Sequence, residues 1–513
     1  MMIPESIAVL GGGLTGLSAA FHLSRRFPRA QITLINKDSR FGGWVRSERA
    51  RVSFKNHSGK HEEADVLLEA GPRTLRPNAP SVLELIHLLN LTPSLLTVPK
   101  SSAAAKSRFL HIPGVAGIDR IPSSLLDFLK SDNAYLARIL LSAVLPEPFK
   151  RWNRPPGAED ESVDEFFTRR FGRDFARVFG SALVHGIYAA DSRKLSLRTA
   201  FPSLWDAEER GRGSIVTGFL RTPANSKSRE EEEPYELGDV QDRMRDVSVY
   251  SFTDGIGTLV SALVKYLREQ PNVRMYGGVD VMGLRLNPRN KRFEITTSSR
   301  ETLTPTHVVS TLPLYRLRKA LPPSTPLPHL TSNTYSSVTV VNLVFPSPPP
   351  SSPPLHPAGF GYLVPRPVEG YSATGPGILG CVFDSSSTAS QDVFHGDQGI
   401  TKMTLMLGGP YSSPSQPSAP PPSTPSINIP SLLTTVSHQL DRPLPDPVLV
   451  KTHTNAQCIP LFSVGHLQRM EELRAVLAGE PWGGRMEVVG AGVGGVSVGD
   501  CVEAGRGVGR GWR

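Results

Sequence analysis

Gly11, Gly13 and Gly16 stand at G-x-G-x-x-G spacing between the apolar run Ile7-Ala8-Val9-Leu10 and an apolar-periodic stretch beginning at Leu14. In a strand–turn–helix unit the first such glycine makes the tight turn. The second lets the backbone approach a pyrophosphate, and the third lets helix and strand pack closely. The helix start then offers free N–H groups and the positive end of its dipole to phosphate. About twenty residues after the last glycine an acidic residue ordinarily holds the ribose hydroxyls. Asn36 occupies that place and Asp38 follows; either Asn36 bonds the ribose without charge or a shifted Asp38 does. A second glycine run, Gly490-Ala491-Gly492 then Gly494-Gly495-Val496-Ser497-Val498, lies near the other end. One dinucleotide unit needs only the first run, so the pair predicts a flavoprotein whose cofactor is gripped by both ends of the chain.

Two more glycine turns follow the second predicted strand, Arg40-Phe41-Gly42-Gly43-Trp44 and Glu69-Ala70-Gly71-Pro72-Arg73-Thr74. Cys458 and His466 are the residue types of a nucleophile and a base. No Asn or Asp is placed in the sequence to orient them, and flavin oxidation needs no covalent nucleophile. His185, beside Gly186, is the better proton-handling candidate. The three cysteines, Cys381, Cys458 and Cys501, lack metal spacing, which argues against a zinc site or disulfide framework and for a reducing compartment. A net charge of +9 suits an anionic small molecule or membrane surface. With no basic stripe or binding motif, a nucleic-acid partner is not expected.

The elements that must carry these residues follow from periodicity. Ile7 to Leu10 reads as a buried strand, Leu14 to Phe27 as a helix, and Gln31 to Ile35 as the second strand. Val82 to Leu89 reads as a helix, and Leu125 to Arg198 as mainly helical, with a Ser-x-x-Glu capping box at Ser162 to Glu165. Val338 to Phe345, Gly377 to Phe383 and Met403 to Leu407 have strand character and are expected in one sheet. Three stretches read as insertions: charged Asn225 to Asp246, and Pro/Ser-rich Pro346 to Pro357 and Ser412 to Pro430. Gly505 to Gly511 is poor helix material, so the closing helix is expected to be short or frayed. The first strand starts almost at once, so any organelle address is expected to be internal. No run of eighteen apolar residues is present. Tyr135 to Leu145 is apolar and precedes Lys150, Arg151, Trp152 and Arg154; it reads equally as a buried helix or as one docking into an anionic membrane interface.

Taken with Glu69 to Arg73, several blocks are similar to the protoporphyrinogen oxidases, flavoproteins of the amine-oxidase-like superfamily. They are Glu161 to Phe167, Asp191 to Ser196, Phe201 to Leu204, Phe360-Gly361-Tyr362-Leu363-Val364-Pro365, Met406 to Gly409, Cys458-Ile459-Pro460, Val464-Gly465-His466 and Gly495 to Arg506. The resemblance implies one non-covalent FAD per chain. It places FAD contacts at Gly11, Gly12, Gly13, Leu14, Thr15, Gly16, Asn36, Lys37, Trp44, Gly71, Pro72, Arg73, Thr74, Val281, Ala491, Val496, Ser497 and Val498. Asn36 stands where the family usually has Glu. Substrate contacts are implied at Gly186, Phe360, Gly361, Leu363 and Met406, an apolar slot with glycines for close approach, and at Lys100 near a propionate.

The implied fold is α/β (α+β overall), a Rossmann-like FAD-binding domain assembled from both chain ends with a helical domain and a mixed-sheet substrate domain. The expected parts are 1–102, 250–313 and 451–513 for FAD, 103–225 helical, 226–249 a charged loop, and 314–450 for substrate. The implied activity is six-electron oxidation of protoporphyrinogen IX to protoporphyrin IX in haem biosynthesis, with O2 as acceptor and H2O2 as product. No essential side-chain base is expected. Peripheral contact with the mitochondrial inner membrane, a homodimer and a downstream ferrochelatase step are implied partners. A flavin amine oxidase, a carotene-desaturase-like oxidase or a non-catalytic flavin-fold protein would share the glycine turns.

Overall fold

Strands apolar on both faces must be covered on both sides, which favours a parallel sheet flanked by helices. In the computed structural model Ser6–Leu10 and Gln31–Asn36 lie inside a five-stranded parallel sheet. Its order is Met486–Val488, His307–Ser310, Ser6–Leu10, Gln31–Asn36, Val273–Gly277. The structure describes residues 3–56, 58–122, 134–221, 233–325, 327–371, 375–396, 398–412 and 427–512. The sheet thus draws strands from the start, middle and end of the chain.

The helix Leu14–Arg26 buries Leu17, Ala20, Phe21 and Leu23, the residues its periodicity singles out. Along it lies the last helix, Val498–Gly507. Any β-carbon at Gly505 would stand 2.6 Å from that of Ser18, and the Ser18 hydroxyl donates to the Val502 carbonyl at 2.8 Å. The two chain ends therefore meet. The closing helix is short, as its glycines predict, but its tail is pinned: the Trp512 indole N–H donates to the Gly484 carbonyl at 2.9 Å.

A seven-stranded sheet forms the second unit, in the order Leu449–Leu461, Thr334–Pro346, Ile400–Gly408, Ile378–Val382, Gly361–Leu363, Phe109–Leu110, Asp119–Arg120. The three apolar segments expected to share a sheet do so. The expected boundary at 450 is corrected, because Leu449–Leu461 pairs antiparallel with Thr334–Pro346 and the chain leaves this sheet only after Leu461. Its polar run Lys451-Thr452-His453-Thr454-Asn455 conceals a strand whose partner supplies the apolar contacts. Phe109–Leu110 likewise joins this sheet, by parallel pairing with Tyr362 and Leu363, from within the range expected to be helical.

The helical unit includes Ala134–Val144, Val163–Phe171, Ser181–Tyr188, Pro202–Arg210 and Ile215–Leu220. Ser162 and Glu165 form the expected capping box. Glu147 and Arg170 make a fully buried ion pair at 2.9 Å. Glu147 also accepts from the Ser214 hydroxyl and the Ile215 N–H, so the buried carboxylate is satisfied. Residues 125–133 of the stretch read as helical, and 225–232 and 413–426 of the insertions, lie outside the described residues.

Candidate active site

The three glycines of the first turn have separate structural tasks. Gly11 has φ +105°, and a side chain there would meet the Thr311 hydroxyl at 2.6 Å. At Gly16 a β-carbon would fall 1.8 Å from the Gly11 carbonyl oxygen, so the helix rides directly on the turn. A β-carbon at Gly13 would meet nothing within 4 Å. No side chain caps the helix that Gly13 begins, and its first turn holds no acidic residue. Unsatisfied N–H groups and a positive dipole thus face open space over a bare glycine, an arrangement suited to the phosphates of a dinucleotide cofactor. Leu14 and Thr15 form that first turn.

Asn36 braces the neighbouring turns. Its amide oxygen accepts the Gly12 N–H at 3.1 Å, while its amide nitrogen donates to the carbonyls of Asp38 (2.9 Å) and Arg40 (2.8 Å). A glutamate, which only accepts when ionised, could not make the two donations. Lys37 is exposed beside it. The Asn36 carbonyl accepts the Val279 N–H at 2.9 Å, which brings the strand Val281–Leu286, with Val281 at its head, to this edge. Arg40 steadies the next loop by donating to the carbonyls of Phe41 (3.0 Å), Val45 (2.8 Å) and Gly43.

That loop meets the Gly-Pro-Arg turn. A side chain at Gly71 would stand 2.4 Å from the Trp44 carbonyl oxygen, and the Ala70 N–H donates to the Arg46 carbonyl at 2.9 Å. Trp44 itself is half exposed. Behind the turn, the Glu69 carboxylate accepts from the Ile256 N–H (2.9 Å) and the Ser47 hydroxyl (2.8 Å). Burial pushes its pKa up to about 7, and those hydrogen bonds and Arg73 only partly oppose this. Arg73 pairs with Asp384 at 3.2 Å, both nearly buried, and Asp384 accepts the Thr404 hydroxyl at 2.6 Å. Pro72 and Thr74 flank Arg73 on the same turn. Glu69, Arg73, Asp384, Thr404 and Asn342 line a cavity of about 10 Å³, at the limit for one water.

On the far wall, Gly490 lies against Thr15, and a β-carbon at Gly494 would meet nothing within 4 Å. Ala491 is half-buried between them. Val496 packs on the helical unit and Val498 on the core beneath the parallel sheet. Ser497 and Asp500 cap the last helix reciprocally at 3.0 Å. His466, fully buried, anchors this loop. Its Nδ1 lies 3.2 Å from the Asn333 amide oxygen and its Nε2 3.2 Å from the Val493 carbonyl, while Asn333 donates to the Gly492 carbonyl at 2.8 Å. The expectation that His466 lacks an Asn partner is therefore corrected: the fold supplies Asn333 from far away in the sequence. The pair holds backbone, and burial depresses the His466 pKa to about 4.

Leu363, Gly380, Met406 and Val340 stand directly opposite one another across four strands and so share one face. Gly186 crosses that face so closely that its β-carbon would lie 2.9 Å from the Leu363 methyl. Gly361, φ +145°, has the Cys381 carbonyl where a side chain would point, at 2.1 Å. Phe360 is half-buried, its N–H donating to the Ser107 carbonyl at 3.0 Å. Lys100 does not join them by its hydrogen bonds; its ammonium donates to the Arg245 carbonyl at 2.8 Å. His185 Nδ1 donates to the Val364 carbonyl at 2.7 Å, so its Nε2 accepts from the Tyr371 hydroxyl at 2.8 Å. Burial lowers its pKa to about 4. It is neutral and committed at physiological pH. Sequence reading missed Asn342, Asp384 and Tyr371. The signal for the first was a lone amide inside the apolar run Val341-Asn342-Leu343-Val344.

Comparison with known proteins places this geometry in a family. Residues 14–394 match the flavin-containing amine oxidoreductases. Protoporphyrinogen oxidase of Schizosaccharomyces pombe is 30% identical over 98% of this chain and 98% of its own length. That of Homo sapiens is 31% identical over 98% and 97%. A crystal structure from Exiguobacterium sp. 255-15 named for the same activity shares the fold, with TM-score 0.71 at 20% identity over 99% of this chain and 98% of that one. The chain belongs to the flavin-containing amine oxidoreductase family and is an enzyme of its protoporphyrinogen oxidase branch.

Proposed function

We propose that the chain oxidises protoporphyrinogen IX to protoporphyrin IX in haem biosynthesis, passing six electrons in three two-electron cycles to three O2 and forming three H2O2. Near full-length likeness to enzymes named for that substrate carries the reading. The flavin in this proposal is FAD, one per chain and non-covalent. Bound FAD supplies hydride acceptance and reoxidation by O2. The chain's residues bind and orient. The helix start over Gly13 takes the diphosphate, Asn36 or Asp38 and Val281 the adenosine end, and Gly71 to Thr74 with Ala491 and Val496 to Val498 the ring. Leu363 and Met406, with Gly186, form the apolar surface that orients the macrocycle and excludes water. No side chain serves as an essential base, since His185 and His466 are neutral and already engaged.

We also propose peripheral attachment to the mitochondrial inner membrane, with a homodimer and hand-over of product to the ferrochelatase step. Among the described residues no helix is long and apolar enough to cross a membrane. The helix Ala134–Val144 buries Leu136 and Ile139 but exposes Leu141 and Val144. Beyond it Phe149 is 86% and Leu220 83% exposed, and Glu147 ties their segments together through the Ile215 N–H. Lys150 and Arg151 adjoin this apolar surface, which suits an anionic bilayer interface.

Aerobic turnover tests the activity. Three O2 consumed and three H2O2 formed per porphyrin are expected, with benzylamine inert. Oxidation of benzylamine but not of the porphyrinogen would favour an amine oxidase, and a colourless protein a non-catalytic fold.

A further inference from the structure

Gln457 carries a buried side-chain nitrogen with no hydrogen-bond partner among the described residues. It lies in a break in the register of the strand Leu449–Leu461. Asn455 pairs with Val338 and Ile459 with Ser336, so three residues oppose Ser337 alone. Gln457 there has φ +49°, left-handed backbone that is uncommon for a residue with a side chain. The Ser337 hydroxyl fixes this by accepting the Gln457 N–H at 2.9 Å. Bulges of this kind re-aim side chains and gather beside active sites.

The walls of the site meet around this bulge. Asn455 donates to the Ala70 carbonyl at 2.8 Å, on the turn that continues to Arg73. Cys458 and Ile459 pack in the cluster that includes Met406. Ile459 also belongs to the cluster that includes Val496. The unpaired donor thus sits on a bulge whose neighbouring residues touch the Gly-Pro-Arg turn, the apolar slot and the C-terminal loop. Left unpaired, a buried donor of this kind is destabilising, so a ligand acceptor is the natural partner.

Ligand chemistry selects the acceptor. A porphyrinogen offers pyrrole N–H groups and methylene carbons at its centre, none of which accepts a hydrogen bond; its propionates belong at the solvent rim. A flavin ring has a carbonyl edge. We propose that Gln457 Nε2 donates to that carbonyl edge and favours the reduced flavin, on which this edge becomes more negative. The inference rests on the flavin reading above.

The test is the reduction potential of the flavin-loaded full-length protein, measured by dye equilibration. Gln457→Gly removes the amide while keeping the left-handed backbone, which glycine adopts without strain. Its apoprotein should melt at or above the wild-type temperature, and its potential should fall by the equivalent of about tenfold in the reduced-to-oxidised equilibrium, about 30 mV for a two-electron couple. Gln457→Glu, an acceptor in place of the donor, should fall further. If Gln457→Gly does not fold, Gln457→Asn, whose shorter amide tolerates this backbone, carries the same expectation. A wild-type potential in a folded variant overturns the inference alone. A raised KM for protoporphyrinogen with an unchanged potential also overturns it, assigning the amide to a propionate. Wild-type protein that binds no flavin overturns it together with the reading beneath it.

Discussion

Alanine at Gly13 and alanine at Gly16 separate two tasks that lie three residues apart. At Gly16 the added carbon lands 1.8 Å from the Gly11 carbonyl oxygen, with backbone on both sides of the contact. The helix Leu14–Arg26 must back away from the sheet. Overpacking of this sort costs about 1–3 kcal/mol, and the Ser18–Val502 hydrogen bond that joins the chain ends is disturbed with it. Gly13 has φ −71° and ψ −178°, ordinary extended backbone, and its added methyl meets no protein atom within 4 Å. The apoprotein should hold its stability or gain about 0.4–1 kcal/mol from a less flexible unfolded chain. The same methyl stands where phosphate must approach the helix N–H groups. Losing a charge-assisted hydrogen bond there, about 1.5–3 kcal/mol, weakens FAD binding roughly 10- to 100-fold. Urea unfolding of the apoproteins and fluorescence titration with FAD measure both quantities. Gly13→Ala that binds FAD as wild type, or loses as much stability as Gly16→Ala, refutes the assignment of the phosphates to this helix start.

Other outcomes follow from the buried charges and the exposed apolar surface. Glu69 keeps its proton to about pH 7 when folded and releases it near 4.5 when unfolded. Its folded pKa is raised, so its own contribution to stability is fully present below about pH 4.5 and is lost as pH rises through 7, by up to roughly 3 kcal/mol. Glu69→Gln should melt like wild type at pH 5 and above it at pH 8.5; a parallel pH profile would contradict this. Arg73→Ala leaves Asp384 buried without its cation and should cost about 3–5 kcal/mol in urea unfolding, with part recovered by adding Asp384→Asn. Strictly additive losses would show that the pair is not coupled. Phe149→Asp with Leu220→Asp should abolish sedimentation with cardiolipin-containing vesicles at an unchanged melting temperature, since both side chains are more than 80% exposed. Unaltered sedimentation would remove this surface as the membrane contact.

The cofactor half of the fold was readable because its signals are local. Gly11, Gly13 and Gly16 act through backbone geometry within one turn, and the strands on either side are apolar enough to announce a buried parallel sheet. That both ends join one sheet was legible from the second glycine run. What escaped notice depends on partners far away in sequence. Lys451 to Asn455 carries no apolar alternation to announce a strand, yet pairing with Thr334–Pro346 makes it one. His466 gains its partner Asn333 only through folding. Asn36 reads as a weakened ribose ligand, whereas its amide also ties two turns together in a way that Glu cannot. Lys100 enters the substrate set only through the family resemblance, and its ammonium donates to the Arg245 carbonyl. Gln457 carries no sequence signal at all, because its backbone conformation arises from a register shift.

Anaerobic mixing of the purified protein with protoporphyrinogen IX tests the central claim most directly. The visible absorbance of the bound flavin should bleach, with one protoporphyrin appearing for every three flavins reduced, and readmitted O2 should restore the oxidised spectrum. Flavin that stays oxidised under excess protoporphyrinogen would contradict the account.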